Sequence, residues 1–221
     1  MNGRKAMIIG ASGLVGSKLL EKLLESERYE KVIALVRKPL LNPHAKLQEI
    51  IIDFDNLEEE YPDIAVDDVY CAIGTTIKKA KTKERMYQID VEYPLTIARL
   101  AKSKGMQHFV IISAMGANSK SRFFYTRIKG ELEEKLMALD IPKLSIFRPS
   151  LLVDEREEFR FGEKMAIGFY KGIAWFLPHA LKTKFGIKAS TVAKAMYNTQ
   201  FSKSPKVMIY QPSQIEELQK K

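Results

Sequence analysis

The sequence predicts an α/β fold built on a doubly wound parallel sheet in three layers. Three observations lead there. Short continuous runs of β-branched and other apolar residues recur along the chain, as strands buried on both faces require. Helix-like segments with apolar residues at three- and four-residue spacing separate them, and such alternation with short connections implies a parallel sheet with right-handed crossovers. The first apolar run also ends on a cluster of glycines, Gly10, Gly13 and Gly16, directly before a helix.

The elements follow in order. Residues 5–9 form the first strand. Residues 17–24 repeat leucine at helical spacing, through Leu19, Leu20, Leu23 and Leu24. Strands are predicted at 32–36, 47–52 and 69–73, the last closing on Gly74-Thr75-Thr76. Residues 91–103 read as a helix, 109–112 as a fifth strand, and 125–139 as a long amphipathic helix. A sixth strand at 144–147 is stopped by Arg148-Pro149. A helix at 191–198, a late strand at 207–210 and a short helix at 213–218, with Ser213 as its N-cap, complete the chain.

Composition narrows the class. The 221 residues carry 36 Lys+Arg against 27 Asp+Glu, a net charge of +9, with 46% hydrophobic residues. That length predicts one domain over 1–221, able to bury a core without staples, and the hydrophobic content excludes global disorder. The single cysteine, Cys71, excludes an internal disulfide and points to a reducing, cytoplasmic setting; it reads as a small buried hydrophobe. No apolar run is long enough for a transmembrane helix, and the glycine-rich N-terminal run does not fit a secretory signal. The positive charge favours an anionic partner, whether nucleotide, nucleic acid or acidic lipid. No nucleic-acid motif accompanies it, so no specific nucleic-acid partner is expected. His44, His108 and His179 are scattered without zinc spacing.

The turn Gly10-Ala11-Ser12-Gly13-Leu14-Val15-Gly16 has the physics of a dinucleotide fingerprint. Glycine allows a tight turn, close backbone approach to a pyrophosphate, and close helix–strand packing. The helix that follows presents free N–H groups and its positive dipole end to the phosphates. The spacing is G-x-x-G-x-x-G rather than G-x-G-x-x-G. The end of the second strand should choose the cofactor. An acid there would hold the ribose of NAD, but residues 32–36 end in Arg37-Lys38. A guanidinium suits a 2′-phosphate, so NADP(H) is the expected cofactor. Asp53, at the end of the third strand, either faces the adenine or caps a turn. Gly74 and Thr75 lie at the carboxyl end of the fourth strand, where the crevice of such sheets opens.

Tyr125 and Lys129 are spaced i, i+4 and share a helix face. Alone the pair has little weight; its position after the fifth strand, which ends at Ser113, gives it some. A tyrosine can protonate a carbonyl oxygen, an ammonium nearby favours its phenolate, and a serine hydroxyl can polarise the carbonyl.

With these residues in hand, the chain resembles the short-chain dehydrogenase/reductase superfamily. The glycine turn, the Tyr125/Lys129 pair and Phe147-Arg148-Pro149 carry the likeness. Ser113-Ala114-Met115-Gly116-Ala117, Lys129-Gly130-Glu131 and Cys71-Ala72-Ile73-Gly74-Thr75-Thr76 resemble its atypical, Tat-interacting-protein-like members. The resemblance implies a Rossmann-type fold and an NADPH-dependent oxidoreductase acting on a carbonyl or alcohol. It implies that Gly10, Ser12, Gly13, Leu14 and Val15 meet the pyrophosphate while Gly16 packs the helix, and that Arg37 meets the 2′-phosphate. Tyr125 becomes the general acid, Lys129 binds the ribose and tunes it, and Ser113, or Ser119 or Ser121 nearby, completes the set. Pro149 and Leu151 would lie near the nicotinamide. The group also contains regulators bound to other proteins, so an NADP(H)-sensing protein that controls a partner is the alternative; an isomerase or dehydratase using the cofactor transiently is a third reading.

The resemblance also implies that the segment from about 150 to 190 forms a small substrate-side lobe or lid rather than an independent domain. Its aromatic stretch, residues 159–181, either completes the core or meets an apolar substrate or a membrane surface. The basic run Lys78, Lys79, Lys81, Lys83 and Arg85 either steers an anion or is a solvated face.

Overall fold

The computed structural model describes residues 3–40, 43–153 and 186–220. Its strands are β1 (Arg4–Ile9), β2 (Tyr29–Val36), β3 (Leu47–Ile51), β4 (Asp68–Cys71), β5 (His108–Ile112), β6 (Lys143–Phe147), β7 (Leu151–Val153), β8 (Gly186–Lys188) and β9 (Val207–Tyr210). Seven of them form one sheet in the order β3-β2-β1-β4-β5-β6-β9, every neighbouring pair parallel. The order reverses at β1, the switch point of a Rossmann-type sheet, so the crevice opens beyond the carboxyl ends of β1 and β4. β7 and β8 pair separately.

Alternation along the strands builds the two outer layers. Met7, Ile9, Ile33 and Leu35 point to one face, where α5 (Tyr93–Ser103) brings Ile97 and Ala98, and α6 (Phe124–Ala138) brings Ile128, Leu132 and Leu136. Ala6, Ile8, Val32 and Ala34 point to the other, under Leu19 and Leu23 of α1 (Leu14–Glu25) and Val192 and Met196 of α7 (Ala189–Asn198). Each buried leucine of this kind stabilises by about 1.5–3 kcal/mol. Three short helices, α2 (Leu57–Glu60), α3 (Ile77–Ala80) and α4 (Lys83–Tyr87), sit in the connections, and α8 (Pro212–Leu218) follows β9.

Several boundaries differ from expectation for local reasons. α1 starts at Leu14, not 17, because the chain enters the helix straight from extended Gly13. The helix expected over 91–103 starts at Tyr93, with Pro94 in its first turn, where a missing N–H costs nothing. Residues Gln88–Glu92 form a π-helical turn before it. Ser213 is not a cap: Gln211 takes that place, its N–H donating to Gln214 Oε1 at 2.9 Å, and Pro212 opens the helix. The aromatic stretch 159–181, most of the expected lobe and His179 lie outside the described residues.

A buried polar network closes the amino ends of the strands. Asp68 accepts from Arg4 Nε at 3.0 Å and Nη2 at 2.7 Å, and from the Tyr29 hydroxyl at 2.7 Å. The Tyr29 and Tyr70 hydroxyls meet at 3.0 Å, and His108 Nε2 lies 2.8 Å from Ser145 Oγ. Burial, helped by Lys143, Arg4 and Arg28, lowers the His108 pKa to about 3. The native protein therefore keeps His108 neutral, while the unfolded chain takes up its proton near pH 6.5. Between those values stability falls with falling pH, by about 1.4 kcal/mol per unit from this group. Urea titrations from pH 7 to pH 5 should show that slope and should show it largely removed in His108→Gln; equal slopes would refute it.

Candidate active site

The turn after β1 is shaped by packing. A Cβ at Gly16 would lie 1.9 Å from the Gly10 carbonyl oxygen, so only glycine lets α1 approach the strand here. Gly10 itself has φ +87°, the left-handed region. No side chain caps α1 and its first turn holds no acid. Ser12, Gly13 and Leu14 are exposed beside it. Among the described residues, no carboxylate is paired with the N–H groups of this helix start. At the end of β2, Arg37 and Lys38 are exposed, and neither forms an ion pair with a described residue. An uncapped helix start and a free guanidinium fit the phosphates of a dinucleotide.

Asp53 is engaged as a cap: its Oδ1 accepts from the Asp55 N–H at 3.0 Å, holding a 3₁₀ turn at Phe54–Asn56. Gly74 is exposed, and Thr75 gives its N–H to Asp90 Oδ2 at 2.9 Å. Pro149 is buried, and its carbonyl accepts the Met115 N–H at 3.1 Å. Cys71 is buried in the strand, which pushes its thiol up to about 12.

Tyr125 and Lys129 open α6 on its sheet-facing side. The Lys129 ammonium lies 5.9 Å from the Tyr125 ring centre and is paired with Asp90 Oδ1 at 2.6 Å, both charges buried. Burial works against the ammonium, but Asp90 and Tyr125 outweigh it, and the Lys129 pKa is raised. For Tyr125, burial raises the pKa; Lys129 pulls it down, Asp90 pushes it up, and the net direction is upward. The ammonium thus acts in the expected sense without prevailing over burial.

Ser113 is buried at the end of β5, and its hydroxyl donates to Glu133 Oε1 at 2.5 Å. Arg148 grips the same carboxylate, Nε to Oε1 at 3.0 Å and Nη2 to Oε2 at 2.5 Å. Ser119 is bonded to Glu134, and Ser121 to Thr126 at 2.6 Å. The loop carrying these serines presses on α6: a Cβ at Gly130 would meet Ser119 N at 2.1 Å.

Sequence reasoning missed Asp90, Glu133 and Arg148 as site residues. Glu133 had a signal, because Tyr125, Lys129 and Glu133 continue one i, i+4 stripe. Asp90 had a weaker one, a lone acid between Ile89 and Val91.

A family model described as NAD(P)H-binding matches residues 10–159. The chain belongs to the NAD(P)H-binding family. Within that family it is 34% identical to HTATIP2 of Rattus norvegicus over 206 residues, 91% of this chain and 83% of the relative. It is 34% identical to FMP52 of Saccharomyces cerevisiae over 163 residues, 71% of this chain and 68% of that one. These relatives put it in the atypical branch of the short-chain dehydrogenase/reductase superfamily. Among solved structures, MoeE5 in complex with UDP-glucose and NAD superposes with a TM-score of 0.68 at 15% identity, covering 93% of this chain and 75% of MoeE5. ADP-L-glycero-D-manno-heptose-6-epimerase of Helicobacter pylori gives 0.68 at 17%, covering 94% and 76%. Both share the fold.

The expectation of a cytoplasmic protein is corrected by these relatives: the FMP52 proteins, including those of Eremothecium gossypii and Saccharomyces cerevisiae, are named mitochondrial. A lone cysteine argues only against an oxidising compartment; it does not separate the cytosol from another reducing one. No helix among the described residues is long and apolar enough to cross a membrane.

Removing Asp90 would strand a buried ammonium. Asp90→Ala should lower stability to urea by about 3–5 kcal/mol, and Asp90→Ala/Lys129→Met should recover most of it. A loss below about 1 kcal/mol in the single variant would show that the pair is solvated.

Proposed function

We propose that this NAD(P)H-binding protein is an NADPH-dependent oxidoreductase that interconverts a carbonyl compound and its alcohol through Tyr125, Lys129 and Ser113. One observation carries the reading. On a single face of α6, at the carboxyl rim of the sheet, a tyrosine stands beside an ammonium whose charge is secured by a buried carboxylate.

Binding is assigned to the rim. The N–H groups at Leu14 and Val15 receive the pyrophosphate, with Gly10, Ser12 and Gly13 shaping the turn, where the Gly13 N–H is held by the Gly10 carbonyl at 2.9 Å, and Gly16 packing the helix on it. Arg37 receives the 2′-phosphate and so selects NADP(H) over NAD(H). Gly74 and Thr75 form a low wall along the cofactor, Asp53 borders the adenine end, and Pro149 borders the nicotinamide. When bound, the cofactor supplies the hydride. In the reducing direction a carbonyl, NADPH and a proton give an alcohol and NADP⁺, and the proton is given to the carbonyl oxygen by Tyr125 Oη. Lys129 has three N–H donors; its charge is paired with Asp90, and its donors have capacity for the ribose and for stabilising the phenolate once the proton has gone. Ser113 acts on the carbonyl only by turning its hydroxyl from Glu133 toward the cleft, and the Arg148 guanidinium keeps Glu133 satisfied when it does.

Tyr125→Phe should lower NADPH oxidation on a panel of aldehydes and ketones by about 10²–10⁴-fold while NADPH still binds. Tight NADPH binding with no turnover of any carbonyl would favour a regulator over an enzyme. Cofactor choice has its own test. Arg37→Ala should weaken NADPH binding by about 1.5–3 kcal/mol and leave NADH binding unchanged, measured by fluorescence titration. Equal affinities for the two cofactors in the wild type would refute the role of Arg37.

A further inference from the structure

Two connections flank the tyrosine side of the rim, and both are strongly basic. The segment after β4 carries Lys78, Lys79, Lys81, Lys83 and Arg85; the one from the end of β5 into α6 carries Lys120, Arg122 and Arg127. β4 and β5 are neighbours in the sheet, so the two segments rise side by side. Phe124 joins them: Lys83 Nζ lies 5.6 Å and the Arg127 guanidinium 5.7 Å from its ring centre, one residue from Tyr125. The only acid within residues 77–87 and 113–127 is Glu84. Arg85 is neutralised by Asp55 at 2.5 Å, and Arg127 faces Glu131 at 3.9 Å. Lys78, Lys79, Lys81, Lys83, Lys120 and Arg122 have no carboxylate within ion-pair distance among the described residues.

The same rim exposes apolar side chains. Ile77 is 46% exposed, Met115 42% and Phe123 51%, three of the seven large hydrophobics left exposed among the described residues. Such a concentration marks a surface used for binding, and a mouth lined by charge of one sign draws in and orients the opposite sign. The pyrophosphate and 2′-phosphate are assigned to the β1 and β2 side, so this collar is left for the other reactant.

We propose that the site takes an amphiphilic anion: a carbonyl compound or alcohol with an apolar chain and a carboxylate or phosphate remote from the reacting carbon. The apolar rim holds the chain, and the collar holds the charged head. This rests on the oxidoreductase reading, because it assigns the reacting end to Tyr125.

The test compares nonanal with azelaic semialdehyde, which share the aldehyde and the chain length and differ in a terminal carboxylate. Calorimetric binding to the protein saturated with NADP⁺ should favour the semialdehyde by about tenfold at low salt, and the gap should close at high salt. Lys79→Glu/Arg122→Glu should bring the two ligands within about twofold of each other while NADPH affinity changes by less than about twofold. Equal binding of the two aldehydes to the wild type would overturn the proposal. So would a double variant that loses NADPH affinity as much as semialdehyde affinity, since the collar would then serve the cofactor. Sedimentation with phosphatidylglycerol vesicles without discrimination between the aldehydes would overturn it in favour of a membrane surface. Discrimination in binding, but no oxidation of NADPH with the bound semialdehyde, would leave the anion site standing and defeat the oxidoreductase reading instead.

Discussion

Lys129 is an ammonium group buried in a protein interior, and the carboxylate of Asp90 at 2.6 Å is what permits it. Taking either ion alone out of water costs several kcal/mol, and only close, well-bonded pairing offsets that. The pair also organises its surroundings. Asp90 sits on the π-helical turn Gln88–Glu92, a geometry that adds a residue to a helical turn and is often found at functional sites. Its second oxygen takes the Thr75 N–H, tying down the connection after β4. One carboxylate thus fixes α6, the approach to α5 and the loop over β4 against each other, and Tyr125 inherits its position from that arrangement.

Polar groups are handled differently at the two ends of the sheet. At the amino ends, Arg4, Tyr29, Asp68 and Tyr70 satisfy one another in a closed network with His108 kept neutral beside it. At the carboxyl ends, among the described residues, α1 begins without a side-chain cap and neither Arg37 nor the collar lysines have a carboxylate partner. Strand direction puts all of these at one edge, because a parallel sheet sends every loop that follows a strand to the same rim. Binding capacity therefore collects where the protein has left hydrogen bonds and charges unmatched, and rigidity collects where it has matched them.

The strands and the glycine turn were legible because their causes are local. A continuous apolar run needs only its own residues to be recognised as a doubly buried strand, and glycines before a helix signal a tight, close-packed junction. The pairing of Tyr125 with Lys129 was legible for the same reason: helical spacing puts them on one face. Helix starts were less so. α1 begins at Leu14, straight after extended Gly13, and α8 begins at a proline behind a glutamine cap, because backbone geometry at those points outweighs the preference of a nearby serine. Asp90 and Arg148 escaped notice because their partners lie 39 and 15 residues away in sequence, Lys129 and Glu133 respectively. A charge that will be buried looks like any other charge until its partner is in place.

Glu133 shows how far the local stripe reaches and where it stops. Spacing alone aligns it with Tyr125 and Lys129 on α6, yet only the sheet decides its partners. Ser113 directly follows β5 and Arg148 directly follows β6, and since the last residues of the two strands, Ile112 and Phe147, are paired in parallel register, Ser113 and Arg148 arrive at the same height above the sheet. The carboxylate between them accepts from both. With Arg148 giving two N–H groups, the charge of Glu133 does not depend on the serine. The Ser113 hydroxyl adds a single neutral donor to a carboxylate whose charge Arg148 already balances, so a turn of that hydroxyl would leave the buried ion pair intact.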